Sequence, residues 1–91
     1  MIRSFRHKGL KELFESGATS QIQKTLHERC QRRLDALDHA KRPEDMNVSG
    51  FNFHALRGAP LRYTMHVNGP WCITFEFQGG DAWRVDFEQY H

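Results

Sequence analysis

The sequence predicts an α+β domain in which two N-terminal helices pack on one face of a mostly antiparallel sheet. Three observations lead there. The chain has 91 residues, enough for one domain spanning 1–91. Its apolar spacing changes from the helical period to the strand period near Phe51. Two turn sequences, Asn68-Gly69-Pro70 and Gln78-Gly79-Gly80-Asp81, then divide the second half into hairpin-length pieces.

The elements follow in chain order. Met1 to Phe5 reads as a short strand. Leu10, Leu13 and Phe14 share one helical face, which predicts a helix over residues 8–15, with Gly17 as its C-terminal cap. Ser20-Gln21-Ile22-Gln23 has the form of a capping box and predicts the start of a long helix over residues 21–40. Ile22, Leu26, Cys30, Leu34 and Leu37 form its apolar stripe, so Cys30 reads as a core residue. Lys24, Glu28, Arg32 and Asp35 form the solvated side. Pro43 stops the helix, and Pro43 to Met46 reads as one further helical turn.

The strands alternate. Phe53 to Leu56 is the first of them. Tyr63, Met65 and Val67, then Trp71, Ile73, Phe75 and Phe77, then Trp83, Val85 and Phe87 make the apolar face. The opposite face is expected to stand open to water. It carries Arg62, Thr64, His66, Cys72, Thr74, Glu76, Arg84 and Asp86.

Composition narrows the function classes. Hydrophobic residues make up 38% and charged residues 26% of the chain, which is globular and not disordered. No apolar run approaches the ~20 residues of a membrane span, and the N-terminus lacks the apolar stretch of a signal peptide. A cytoplasmic location is therefore expected. Cys30 and Cys72 are too few and too distant for a metal site and read as reduced thiols. The net charge of +2 conceals an asymmetry. Residues 1–42 hold ten basic and five acidic residues, whereas residues 43–91 hold three and six. A basic half suits contact with a phosphate backbone, although charge alone is more often the mark of a solvated helix face.

There is no phosphate-binding glycine loop, no zinc-ligand spacing and no nucleophile elbow. The remaining groups are those of a ribonuclease that needs no metal. Such an enzyme takes a proton from a 2′-hydroxyl, stabilises a charged phosphorane and protonates the departing 5′-oxygen. His54, Arg57, Arg62, His66, Tyr90 and His91 are suited to those tasks, and an aromatic residue can stack an unpaired base.

Several segments together carry a family resemblance. They are Met1-Ile2-Arg3-Ser4-Phe5, His54-Ala55-Leu56-Arg57-Gly58, the run from Asn68 to Phe77, Gly80-Asp81-Ala82, and Asp86-Phe87-Glu88-Gln89-Tyr90-His91. In these the chain resembles the HigB-type toxins of the RelE/ParE superfamily over nearly its whole length. The resemblance implies a RelE-like microbial RNase fold and metal-independent, ribosome-dependent cleavage of mRNA in the A site. It implies no cofactor. It implies a helix-turn-helix antitoxin of the HigA type, through which alone the toxin would reach operator DNA. It places His54, Tyr90 and His91 on active-site positions and Arg57 where a basic residue is expected. Arg62, His66, Cys72 and Gln89 fall in the RNA- and phosphate-binding set.

Two positions depart from the family pattern. Cys72 stands where family members often carry an arginine on the scissile phosphate, and Gln89 stands where many carry aspartate. A thiol is no fixed cation and an amide does not ionise. Arg57 or Arg62 is left to supply the phosphate contact. Two other readings stay open: a gyrase poison of the ParE kind that cleaves no RNA, and a non-catalytic partner that helps a regulator hold its operator.

Overall fold

The computed structural model describes residues 1–89. It is α+β. Helices α1 (Lys8–Ser16) and α2 (His27–His39) precede four strands, β1 (His54–Leu56), β2 (Arg62–Asn68), β3 (Trp71–Gln78) and β4 (Asp81–Gln89). The sheet is an antiparallel meander in the order β1-β2-β3-β4.

α1 begins where His7 turns its ring back, Nδ1 accepting the Leu10 N–H at 3.1 Å. It ends at Gly17, whose left-handed backbone (φ 81°) lets its N–H return to the Leu13 carbonyl. A side chain there would be strained, as the cap expected at this position requires.

The long helix does not start at residue 21. Lys24–Leu26 is a 3₁₀ turn, and the α-helix proper is His27–His39. Glu12 explains the lost turn. Its Oε1 accepts from the Thr19 hydroxyl at 2.7 Å and from Gln21 Nε2 at 3.3 Å, so residues 19–21 are tied to α1 and do not cap a helix. The apolar stripe survives the change: Ile22, Leu26, Cys30, Leu34 and Leu37 are all buried. Pro43–Met46 forms the expected turn, as 3₁₀, with Asp45 accepting the Lys41 and Arg42 N–H groups.

Leu10 and Leu13 of α1 and Leu34 and Leu37 of α2 share one core cluster with Met65, Val67, Ile73, Phe75, Ala82, Val85 and Phe87 of the sheet. Trp71 stacks on Phe87 at 4.6 Å between ring centroids, and Phe53, Tyr63 and Phe75 form a second stack. Arg33 of α2 is also buried. Its Nε donates to the His66 carbonyl at 2.7 Å, beside a register shift in β2, and its guanidinium lies over the Phe51 ring at 4.4 Å. Burial holds its pKa below the usual arginine value.

Three strand expectations need correction. Residues 1–5 do not form a strand of their own. Ile2 and Phe5 make isolated parallel bridges to Ala82 and Val85, and so cover the outer edge of β4. The first strand begins at His54 and not at Phe53. Trp83 does not join the apolar face. The pairing of β3 with β4 shifts by one residue between Thr74↔Asp86 and Glu76↔Trp83, so Arg84 and Val85 together face Phe75. Arg84 takes up this bulge with a left-handed backbone (φ 49°). Beyond it the alternation inverts: Ala82 enters the core at 0% exposure and Trp83 crosses to the polar side.

Candidate active site

The register places the polar side chains of the sheet in cross-strand rows. His54, Thr64, Thr74 and Asp86 form one row, since each is the Cα partner of the next. His66, Cys72 and Glu88 form the row on one side of it. Glu76 and Trp83 stand on the other side, with Arg62 on β2 next to them.

This face is not the open, wet surface expected. Thr64, Cys72 and Thr74 are buried, and the Arg62 and Glu76 side chains are only 13% and 14% exposed. A side-chain network fills the space above the strands. Arg62 Nη1 pairs with Glu76 Oε2 at 2.9 Å. Arg62 Nη2 donates to the Thr74 hydroxyl at 2.9 Å and to the Arg84 carbonyl at 3.0 Å. Arg84 reaches back to Glu76 Oε1 at 3.1 Å, because the bulge turns its side chain toward this face. The Thr74 hydroxyl in turn donates to Glu88 Oε2. A guanidinium with three fixed acceptors is held in one place and orientation.

His54 is exposed, and its Nδ1 meets the Asn52 carbonyl at 2.9 Å. A carbonyl only accepts, so Nδ1 carries a proton in this contact, and Nε2 is the nitrogen left for proton transfer. Asn52 adopts a left-handed backbone (φ 48°), a conformation this residue type tolerates. His66 is spent locally, with Nε2 donating to the Gly69 carbonyl of its own hairpin at 2.9 Å.

The sequence-predicted residues thus fall into groups. His54, Arg62, His66 and Cys72 share the polar face. Arg57 is exposed on the loop just beyond β1. Gln89 pairs with Trp71, which puts it in the opposite phase from Cys72 and Glu88. Tyr90 and His91 lie outside the described residues. Cys72 is 8% exposed, its sulfur near the Pro70 carbonyl at 3.9 Å, and carries no charge with which to hold a phosphate. Cys30 lies in the core, where burial pushes its thiol up to about 11 against the opposing pull of Arg33.

Thr74, Glu76, Arg84 and Glu88 were not singled out from sequence, though they organise the face. The strand alternation already put the first three beside Arg62. No sequence signal pairs Arg62 with Glu76, fourteen positions away.

Fold and face together define a class: a small α+β domain whose polar sheet face carries acid–base and cationic side chains around a nearly buried ion network. Residues 3–91 match the model of the RelE-like toxin of type II toxin–antitoxin system HigB. The chain is also 41% identical over 92 aligned residues to Endoribonuclease HigB of Proteus vulgaris, with both chains covered completely. The chain belongs to the HigB-like toxin family of type II toxin–antitoxin systems, and an antitoxin is therefore its partner. Among the described residues, no helix is long and apolar enough to cross a membrane.

Proposed function

We propose that this toxin is a metal-independent endoribonuclease that cuts mRNA in the ribosomal A site, in the cytoplasm, on a RelE-like microbial RNase scaffold with the helices packed on one face of the sheet. The observation that carries this reading is full-length similarity to a protein named Endoribonuclease HigB, joined to a sheet face that holds His54 beside a fixed arginine.

His54 or His91 acts as general base or acid. Arg57, exposed at the rim, and Arg62, fixed over Thr74, neutralise the charge that develops on phosphorus. Tyr90 stacks on or orients a base, or shares in proton transfer. His66 and Cys72 line the RNA path on the polar face, whereas Gln89, in the opposite strand phase, lies off it. The exposed basic residues of the helical half meet ribosomal RNA. A HigA-type helix-turn-helix antitoxin restrains the toxin and carries it to operator DNA.

The test is cleavage of a defined mRNA on programmed 70S ribosomes, with wild type beside Tyr90→Ala and a chain lacking His91. Cutting at A-site codons by wild type alone, and none of naked RNA, is the expected result, with losses of about 10²-fold or more in the variants. Full cutting by both variants refutes the C-terminal assignment. No cutting by wild type that still arrests growth refutes the ribonuclease reading and directs the search to gyrase.

A further inference from the structure

Three carboxylates stand on the polar face, and Glu76 is already committed to cations, bound by both Arg62 and Arg84. Asp86 turns back on its own strand, Oδ1 accepting the Phe87 N–H at 2.9 Å. Asp86, like Glu88, has no cation among the described residues, but of the two only Glu88 is held by a side chain of the neighbouring strand. Glu88 Oε2 accepts from the Thr74 hydroxyl, and among the described residues its Oε1 has no hydrogen-bond partner.

The direction of that hydrogen bond is fixed by chemistry. Arg62 Nη2 can only donate, so Thr74 Oγ1 receives it and sends its own proton toward Glu88. Thr74 is fully buried and Arg62 is anchored at three points, so the Glu88 carboxylate is aimed by a rigid support. A second observation points to a ligand at the same place. Thr64, the next residue of the row after Thr74, is 3% exposed, and among the described residues its hydroxyl has no partner. A buried hydroxyl without a partner is costly, and a ribose or phosphate oxygen would complete it. His54 follows Thr64 in the row.

We infer that Glu88, aimed by Thr74, is the carboxylate that takes the 2′-hydroxyl proton during RNA cleavage. The inference rests on the ribonuclease reading above and assigns a base that the reading left open. Gln89 beside it carries no titratable proton and is in the opposite strand phase. In the step, the O2′–H proton passes to Glu88 as the O2′–P bond forms. The P–O5′ bond breaks, and O5′ takes a proton from the Nε2 of the His54 imidazolium. The products are a 2′,3′-cyclic phosphate and a 5′-hydroxyl. Nothing is oxidised or reduced, and both side chains recover their starting states by proton exchange with water.

The experiment is single-turnover cleavage on programmed ribosomes with wild type, Glu88→Gln and Glu88→Asp, alongside ribosome co-sedimentation and thermal melts. Glutamine keeps an acceptor for Thr74 and removes only the basicity. Its rate is expected to fall about 10²-fold or more with ribosome binding intact. Aspartate keeps a carboxylate one methylene further back, and is expected to recover about tenfold over glutamine. Wild-type cutting with an unimpaired Gln variant overturns the Glu88 assignment and leaves the ribonuclease reading standing. Equal loss in the Gln and Asp variants also overturns it, because a structural contact and not basicity would then be at stake. Wild type that does not cut overturns the ribonuclease reading, and this assignment with it.

Discussion

Replacing Arg62 with methionine tests whether the polar face is a built network or a solvated surface. The guanidinium is 13% exposed and gives hydrogen bonds to Glu76, to the Thr74 hydroxyl and to the Arg84 carbonyl. Hydrogen bonds involving a charged group contribute roughly 1.5–3 kcal/mol each, and breaking a buried pair from one side costs about 3–5 kcal/mol. Two effects reduce that. Arg84 remains on Glu76, and methionine fills much of the same space with apolar surface. The net cost of Arg62→Met is then about 2–3 kcal/mol, or a drop of roughly 10–20 °C in melting temperature for a domain of this size. Adding Glu76→Gln removes a charge that Arg84 alone only partly compensates and should recover about 1–2 kcal/mol, a coupling that urea melts of the four proteins of the cycle measure directly. If Arg62→Met costs under about 0.5 kcal/mol, as surface substitutions commonly do, the network is no more than solvated side chains and the reasoning fails.

Three further outcomes follow from other parts of the fold. Gly9→Ala should destabilise α1 although alanine is the better helix former by about 1 kcal/mol, because the added Cβ would stand 2.9 Å from the Gln21 Cβ and 2.8 Å from the His7 Cε1; a thermal melt at or above wild type counts against this packing. Arg3, and after it the N-terminal amine, hold the Asp81 carboxyl below the usual value. A lowered folded-state value stabilises above the unfolded one, about 3.9, and that contribution fades as pH falls through the folded value. Wild type should therefore exceed Asp81→Asn in urea midpoint at about pH 6, with the gap closing toward about pH 2; a constant gap refutes the ion pair. Burial pushes the Cys30 thiol up to about 11, so a thiol reagent at about pH 8 should modify it only on unfolding; prompt labelling of Cys30 in a Cys72→Ser chain contradicts its place in the core.

Pattern was legible where the backbone stays regular. The alternation of Tyr63, Met65, Ile73, Phe75 and Val85 follows from the side-chain period of two, and the two hairpin turns follow from their glycines. It fails at the bulge, because one extra residue inverts the faces of Ala82 and Trp83 before it, and Arg84 gives no hint of a left-handed backbone. It fails again at residues 21–26. An apolar stripe is satisfied equally by a 3₁₀ turn, and the competing ties from Glu12 to Thr19 and Gln21 span seven and nine positions. At the site, residue chemistry was readable and partnership was not. Arg62 read as a free cation, but the fold commits it to Glu76 and Thr74.

That commitment also changes the meaning of the charge asymmetry. By sequence the second half is acidic, and an acidic sheet would repel RNA from the very face that must hold it. The fold removes much of that field by internal pairing. Glu76 lies between two guanidiniums, and Asp81 is paired with Arg3 and the N-terminal amine, which the basic half contributes across the β4 edge. Meanwhile Lys8, Lys11, Lys24, Arg29 and Arg32 remain exposed on the helical half. The potential that an approaching phosphate backbone meets is thus more positive than the sum of +2 suggests. Among the carboxylates of the polar face, Asp86 and Glu88 are then not spent on a neighbouring cation among the described residues, and Glu88 is the one aimed by a buried hydroxyl of the next strand. A base in an RNA-cleaving site needs that combination: surroundings that tolerate the substrate's charge, and one carboxylate left free to accept a proton.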